Sequence, residues 1–362
     1  MKNISLIVEK ANVRNIEVVD LPVGNLQAGE LLLRVDKFSF TANNVTYAVL
    51  GDRIGYWQFF PVADRPDWFR TPVWGFADVV ESKSTEIAVA ERIYGYLPMS
   101  EYLVVRPEAV SGHTFTDATP HRQDLPMVYN QYQRVTDRDG AISEDERAIL
   151  SPVFGTSFLL ADFLADNAYF DASTVLIASA SSKTGLGLAE LLSGEASPVQ
   201  VTGITSQRNR SFVSSLGTYD HVVTYDALAE LDTSERTVLV DMAGSGTVIG
   251  EIHERYGDKL AFSSIVGVTH WEAGRPPKGL PGPKPTMFFG PGQVEKRFED
   301  WGAEEYRRRA AAATERLYRS SRDWLNIEYR EGGEAVAEAF LSVVNGETPA
   351  NVAYMFRMGE KA

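Results

Sequence analysis

The chain has 362 residues, of which 44% are apolar, 11% aromatic and 23% charged, a globular composition long enough for two cores. Its formal charge of −14 argues against nucleic acid or an anionic membrane as the main partner. There is no cysteine, which excludes disulfides, thiolate zinc sites and cysteine nucleophiles.

The N-terminus, MKNISLIVEKANV, has no apolar h-region and already alternates like a strand. No run is read as long enough to span a bilayer, so a soluble cytoplasmic protein is expected. Up to about residue 110 the chain is a series of short alternating segments: ISLIVEK, IEVVDLP, ELLLRVDKFSF, GFADVVES, ERIYGYLPM and EYLVVRPEAV. Turns rich in Gly, Pro and charge separate them, which predicts a β-barrel-like domain. Residues 111–147 are polar and irregular, contain HRQDLPMVYNQYQR, and read as an inserted excursion.

From Ser151 the rhythm changes. AILSPVFGTSFLLADFL is helical, TVLIASA is a buried strand and TGLGLAELL a helix. VQVTGIT, HVVTYD, TVLVDMAG and AFSSIVGV are further apolar strands, and strands alternating with helices predict a parallel, doubly wound sheet. After the Pro/Gly loop GRPPKGLPGPKP come the long charged helix FEDWGAEEYRRRAAAATERLYRSSRDW, the helix GGEAVAEAFLSVVNG and a closing strand, NVAYMFRM.

The segment LIASASSKTGLGLAELL has the layout of a dinucleotide-binding turn without most of its glycines. Glycines there make the tight turn, let a pyrophosphate approach the backbone, and let the helix pack on the strand. Only the last task visibly survives, at Gly185 or Gly187. Ser181, Ser182 and Thr184 can donate hydroxyl hydrogen bonds instead, and Lys183 adds charge at a helix N-terminus that already favours anions. The plain alternative is a capped turn with Lys183 solvated. The trio Ser182-Lys183-Thr184 is no phosphate loop, because positions 177 and 182 lack its glycines, and no Ser-x-x-Lys motif precedes Lys183.

The next strand ends in Thr205 and Ser206, followed by Arg208 and Arg210. An NAD site would place an acid there for the ribose 2′-hydroxyl. Hydroxyls and arginines suit a 2′-phosphate instead, although a solvated basic turn has the same composition.

The order of elements resembles the medium-chain dehydrogenase/reductase superfamily over nearly the whole chain, particularly its zinc-independent quinone-oxidoreductase and enoyl-reductase branch. ERIYGYLPMSEYLVVRPEAV resembles the segment closing the family's GroES-like barrel, LSPVFGTSFLLADFL its linking helix, and TVLIASASSKTGLGLAELL its nucleotide loop. The departure at the loop glycines suggests a divergent subgroup marked by SASSKT and known chiefly as a family of unknown function. The resemblance implies an α/β protein: a GroES-like β-barrel domain (1–150, with 293–362 returning to it) and a Rossmann domain (151–292), with a cleft between them.

It further implies NADP(H) as cofactor, bound by Thr156, Ser181, Ser182, Lys183, Thr184, Thr205, Ser206, Arg208, Arg210, Met242, Val266 and Phe289. Ser206 and Arg210 best match the positions that meet the 2′-phosphate, and FFGPG near Phe289 is expected at the nicotinamide end. The five histidines (113, 121, 221, 253, 270) show no metal-ligand spacing, and a zinc-free mechanism is expected. Candidate catalytic residues are Tyr56 and Tyr129 as proton donors, with Asn43 and Tyr47; packing is the alternative role for each tyrosine. Asn44 is an approximate match as well. His121, Arg122, Asn130 and Tyr132, around Tyr129, form a second polar-aromatic candidate whose alternative is a surface loop. The implied reaction is hydride transfer to an α,β-unsaturated carbonyl or quinone, with a small-molecule substrate and a homodimer. Reduction of a simple carbonyl, or a non-catalytic NADP-binding sensor, remains open.

Overall fold

The computed structural model describes residues 1–136, 142–194, 197–269, 274 and 276–359; His270 and part of the GRPPKGLPGPKP loop lie outside the described residues. Two compact units are present, Met1–Ile149 with Asn326–Ala362, and Leu150–Leu325. The rejoining segment therefore begins at Asn326, not at 293: the helix Gly290–Ser321 lies in the second unit. That helix is broken at Gly302, whose φ of 79° is a left-handed value that glycine takes at little cost.

In the first unit a large sheet runs in the order Asn326–Glu331, Val352–Arg357, Leu31–Phe40, Pro72–Ser82, Arg92–Pro98, Gln131–Arg134, Thr114–Asp117 and Pro107–Glu108. Tyr102–Val105 also pairs with Leu31–Phe40, and a smaller sheet joins Ile16–Asp20, Ile4–Glu9 and Trp68–Phe69. All these pairings are antiparallel except Asn326–Glu331 with Val352–Arg357, whose crossover helix is Gly333–Val344. The central strand Leu31–Phe40 bulges between Val35 and Lys37. Opposite the bulge, a Cβ on Gly75 would lie 2.4 Å from the Lys37 carbonyl oxygen, so only glycine lets the two backbones pass there.

The segment 111–147 is not the irregular excursion its polarity suggests. It contains the strands Thr114–Asp117 and Gln131–Arg134 and the short helix Met127–Asn130. Arg122 is buried at 1% exposure. Its guanidinium donates to Asp117 at 2.8 Å, Asn130 at 2.9 Å, the Tyr132 hydroxyl at 3.0 Å and the Tyr129 carbonyl at 2.9 Å. Burying that charge is tolerable because four of its five N–H donors meet an acceptor, one of them a carboxylate.

The second unit is a six-stranded parallel sheet in the order His221–Thr224, Gln200–Thr205, Thr174–Ala178, Thr237–Asp241, Leu260–Ile265 and Thr286–Met287. Numbered along the chain this is 3-2-1-4-5-6, the Rossmann order. Both faces are covered, which explains the unbroken apolar runs. Val175 and Ile177 pack with Leu186, Leu188 and Leu192 on one face, and Leu176 and Ala178 with Ile249 and Ile252 on the other.

One helix does reach membrane-spanning length and apolarity, contrary to the sequence reading: Glu144–Asp166, of 23 residues. Its Val153, Phe154, Leu160 and Leu164 are buried within the protein, so those side chains already have a protein interior to occupy.

Candidate functional site

The loop Ser179–Ser182 follows the strand Thr174–Ala178 at the point where the strand order reverses, the place at which open α/β sheets bind ligands. Ser179 takes a φ of 58°, the left-handed conformation a glycine would adopt without strain. It is held there by Tyr225, whose hydroxyl accepts from the Ser179 N–H at 3.0 Å and shares a second bond with Ser179 Oγ at 3.0 Å. Ala180 is fixed in turn. Its N–H donates to the Ile204 carbonyl at 3.0 Å, and its own carbonyl accepts from Tyr219 Oη at 2.9 Å.

Ser182 caps the helix Lys183–Leu192 by accepting from the Gly185 N–H at 3.1 Å. Ser181 Oγ accepts from Asn209 Nδ2 at 2.9 Å. Both serines thus use an acceptor lone pair and keep a proton to donate. The Thr184 carbonyl accepts from Ser157 Oγ at 2.8 Å. The two glycines meet the close-packing requirement: a Cβ on Gly185 would lie 2.9 Å from Ser182 Oγ, and one on Gly187 2.6 Å from Ser157 Oγ. Lys183 is half-buried rather than solvated, and desolvation lowers its ammonium to about 8.

At the end of the neighbouring strand, Thr205 is buried and its hydroxyl has no hydrogen-bond partner, which is uncommon for a buried polar atom. Ser206 starts the helix Gln207–Ser215 without capping it through its side chain. Arg208 and Arg210 are both exposed, whereas Asn209 is the residue that turns toward the Ser179–Ser182 loop. No acid stands at this strand end. The donors, the cation and the orphaned Thr205 hydroxyl fit a phosphorylated dinucleotide.

Sequence reasoning missed Asp241, at the end of the adjacent strand. Its buried carboxylate accepts from the N–H groups of Ala243 and Ser245, each at 3.0 Å. Burial pushes it up to about 6 against those bonds. Met242 donates its N–H to the Ala178 carbonyl at 3.2 Å, and Val266 to that of Asp241 at 2.8 Å, so both line the same strand-end region. Thr156 spends its hydroxyl on the Pro152 carbonyl of its own helix at 3.2 Å; its neighbour Ser157 makes the contact to the loop helix. Phe289 is 71% exposed and lies beside a cavity of about 240 Å³ lined also by Phe163, Phe262, Ser264 and Phe288.

In the first unit all four candidate catalytic residues come together. The Tyr56 and Tyr129 hydroxyls are 2.8 Å apart, Asn43 Nδ2 donates to the Tyr47 hydroxyl at 2.8 Å, and the Tyr47 and Tyr56 rings lie 4.5 Å apart. Asn43 enters because the helix Ala42–Val49 places it one turn before Tyr47. Asn44 instead closes a capping box with Thr41 and donates to the Pro72 carbonyl at 3.1 Å. Burial raises the phenols of Tyr47, Tyr56 and Tyr129 well above the ordinary tyrosine value, so they remain protonated and serve as donors. The other polar residues around Tyr129 are structural: His121 Nε2 lies 3.1 Å from the Phe59 carbonyl oxygen, and Arg122, Asn130 and Tyr132 form the buried network described above. Trp74 and Tyr96, which no motif marks, complete the cluster. Among the described residues no group of three His, Asp or Glu could hold a metal ion.

The family described as "Protein of unknown function (DUF2855)" matches residues 38–349. The chain belongs to that family. No curated protein matches it by sequence. Among solved structures it is similar to CurA from Vibrio vulnificus in complex with NADPH, at 14% identity and a TM-score of 0.61, covering 99% of this chain and 100% of that one. The yhdH oxidoreductase from Salmonella enterica in complex with NADP matches at 14% identity and 0.53, covering 99% and 100%. The quinone oxidoreductase from Coxiella burnetii matches at 13% and 0.52, again covering 99% and 100%. At these identities the likeness establishes the fold: that of the medium-chain dehydrogenase/reductases, with Rossmann and GroES-like units.

Proposed function

We propose that the chain is an NADPH-dependent, zinc-independent reductase of α,β-unsaturated carbonyls or quinones. The observation that carries this reading is the Ser179–Ser182 loop. It holds a glycine-like conformation at the switch point of a Rossmann sheet, beside a strand end that offers Thr205, Ser206 and two arginines but no acid. Solved structures of the same fold that contain NADPH or NADP support the cofactor.

Ser181, Ser182, Thr184 and the first-turn N–H groups of Lys183–Leu192 bind the pyrophosphate in this reading, with Lys183 as the cation. Ser206, Arg208 and Arg210 hold the 2′-phosphate, and Met242 and Val266 line the strand ends. Bound there, the dinucleotide supplies hydride. The first unit supplies hydrogen bonds and a proton. Its phenols stay protonated and desolvated, so they can hold the charge that develops on an enolate oxygen, and Tyr56 then gives up a proton. Spreading charge over an enolate asks less of neutral donors than polarising an isolated ketone does.

The test is consumption of NADPH with 2-cyclohexen-1-one, 1,4-naphthoquinone and cyclohexanone. Turnover of the first two and little of the third is expected. Reduction of cyclohexanone alone moves the assignment to simple carbonyls; tight NADPH binding with no turnover of any acceptor replaces it with the sensor reading.

A further inference from the structure

The tyrosine cluster contains more hydrogen-bond donors than acceptors. Asn43 donates to the Tyr47 hydroxyl, and the Tyr129 hydroxyl pairs with that of Tyr56. One of the paired Tyr56 and Tyr129 hydroxyls donates to the other, so one O–H proton of the pair, and that of Tyr47, meet no acceptor among the described residues. The buried Trp74 indole N–H beside them has no hydrogen-bond partner either. Beside them Tyr96 is fully buried, and its hydroxyl has no partner at all. Among the described residues no carbonyl or carboxylate accepts from any of the four hydroxyls.

An unpaired buried hydroxyl costs folding free energy that phenylalanine would not. The ring alone explains the packing of Tyr96 against Tyr129, Phe59 and Trp74, with centroids at 4.8, 5.2 and 5.2 Å. The hydroxyl needs another reason.

We propose that Tyr96 is a further ligand-binding residue, its hydroxyl held without a partner to meet a ligand oxygen that accepts hydrogen bonds and donates none. A carbonyl or quinone oxygen answers that description; an alcohol, which brings its own proton into a site already rich in donors, does so poorly. The proposal deepens the reading above and rests on it, since it takes the first unit as the place where the carbonyl binds.

The Tyr129 ring lies 4.8 Å from that of Tyr96 and is only half-buried. Arg122 holds the Tyr129 carbonyl at 2.9 Å, so the backbone is anchored there and a ligand that reaches Tyr96 requires the Tyr129 side chain to rotate.

The experiment compares wild type with Tyr96→Phe without nucleotide, so that neither ligand turns over. Binding of 2-cyclohexen-1-one and 2-cyclohexen-1-ol is measured by calorimetry, and Tm for each protein. Wild type should prefer the ketone. Tyr96→Phe should bind the ketone roughly three- to tenfold more weakly, the size of one hydrogen bond, with Tm unchanged or raised. Equal ketone affinity in the two proteins, or a drop in Tm with affinity kept, overturns the proposal and leaves the function reading intact. Failure of wild type to bind ketone, together with no NADPH turnover, overturns both. The infrared carbonyl stretch of the ketone bound to wild type gives a readout that needs no variant. A marked shift to low frequency is expected, and a stretch at its aqueous position overturns the proposal.

Discussion

Ala180 and Gly203 share a space that admits only one side chain. A Cβ on Gly203 would lie 2.9 Å from that of Ala180 and 2.8 Å from the Tyr219 ring. The Ser179–Ser182 loop carries the side chain, and the neighbouring strand carries the glycine that makes room for it. Gly203→Ala should therefore destabilise the protein by about 1–3 kcal/mol, the range for overpacking. Ala180→Gly should restore part of the loss, the Tyr219 clash remaining. Thermal unfolding of the two single variants and the double variant measures the coupling; additive effects would show that the two positions do not compete.

Tyr225 holds Ser179 in its left-handed conformation through two hydrogen bonds. Tyr225→Phe removes the acceptor from the Ser179 N–H, which should cost about 1–3 kcal/mol and weaken NADPH binding. Adding Ser179→Gly relieves roughly 1–2 kcal/mol of left-handed strain, so the double variant should recover stability. A Tyr225→Phe protein with wild-type Tm and wild-type NADPH affinity would mean that the loop is held by other contacts.

Lys183 titrates near 8 against an ordinary value of 10.5. The unfolded chain binds more protons between those values, so this residue makes stability rise with pH from about 8 to 10.5. Nucleotide binding has the opposite sign. A phosphate favours the ammonium, so affinity for NADPH should be flat below pH 8 and fall above it, as binding comes to require proton uptake. Asp241, at about 6, titrates below this window, and Tyr219 and Tyr225 are raised away from it. Lys183→Met should weaken binding and abolish the slope; calorimetry across this pH range decides it, and a slope that survives the substitution belongs to another group.

Arg208 and Arg210 stand exposed beside a strand end without an acid. Replacing both with alanine should reduce affinity for NADPH at least tenfold while changing NADH little, consistent with about 1.5–3 kcal/mol for bonds to a charged group. Competitive binding of the two nucleotides measures this. Equal loss for both would assign the arginines to general electrostatic attraction.

Tyr56→Phe keeps the ring packing against Tyr47 but deletes the hydroxyl paired with Tyr129. The turnover rate with 2-cyclohexen-1-one should fall about 10²-fold or more while NADPH affinity is unchanged. An unaltered rate would pass the proton-donor role to Tyr129 or to water.

The two architectures were legible from rhythm alone, because a sheet covered on both faces needs unbroken apolar strands and a barrel needs alternating ones. What escaped was non-local. Arg122, Asn130 and Tyr132 read as a polar-aromatic candidate site or a surface loop, because their burial depends on Asp117 and on the Tyr129 carbonyl, which no spacing rule couples to them. Arg210 is singled out by its match to the family position that meets the 2′-phosphate, and no such match points to Asn209. The helix begins at Gln207, however, and its phase turns Asn209 toward the loop. Thr156 and Ser157 were separated in the same way by helical phase. The conformation of Ser179 could not be read from SASSKT, since it is imposed from across the sheet by Tyr225. Tyr96 carries no motif, and only the count of donors and acceptors around it draws notice.

The strand Val352–Arg357 lies against Leu31–Phe40, pairing Met355 with Ser39 and Phe356 with Phe38. More than three hundred positions separate those partners, and the second unit is an uninterrupted stretch of chain between them. On the ribosome, domains tend to fold as their residues emerge, so the Rossmann unit can be complete while the unit begun before it still waits for its last strands. A nascent chain halted before Asn326 would carry a finished Rossmann unit and, at Phe38–Phe40, a stretch of open strand edge able to pair with a neighbour. The order of synthesis thus makes the N-terminal unit the last to close, and the one most in need of protection until it does.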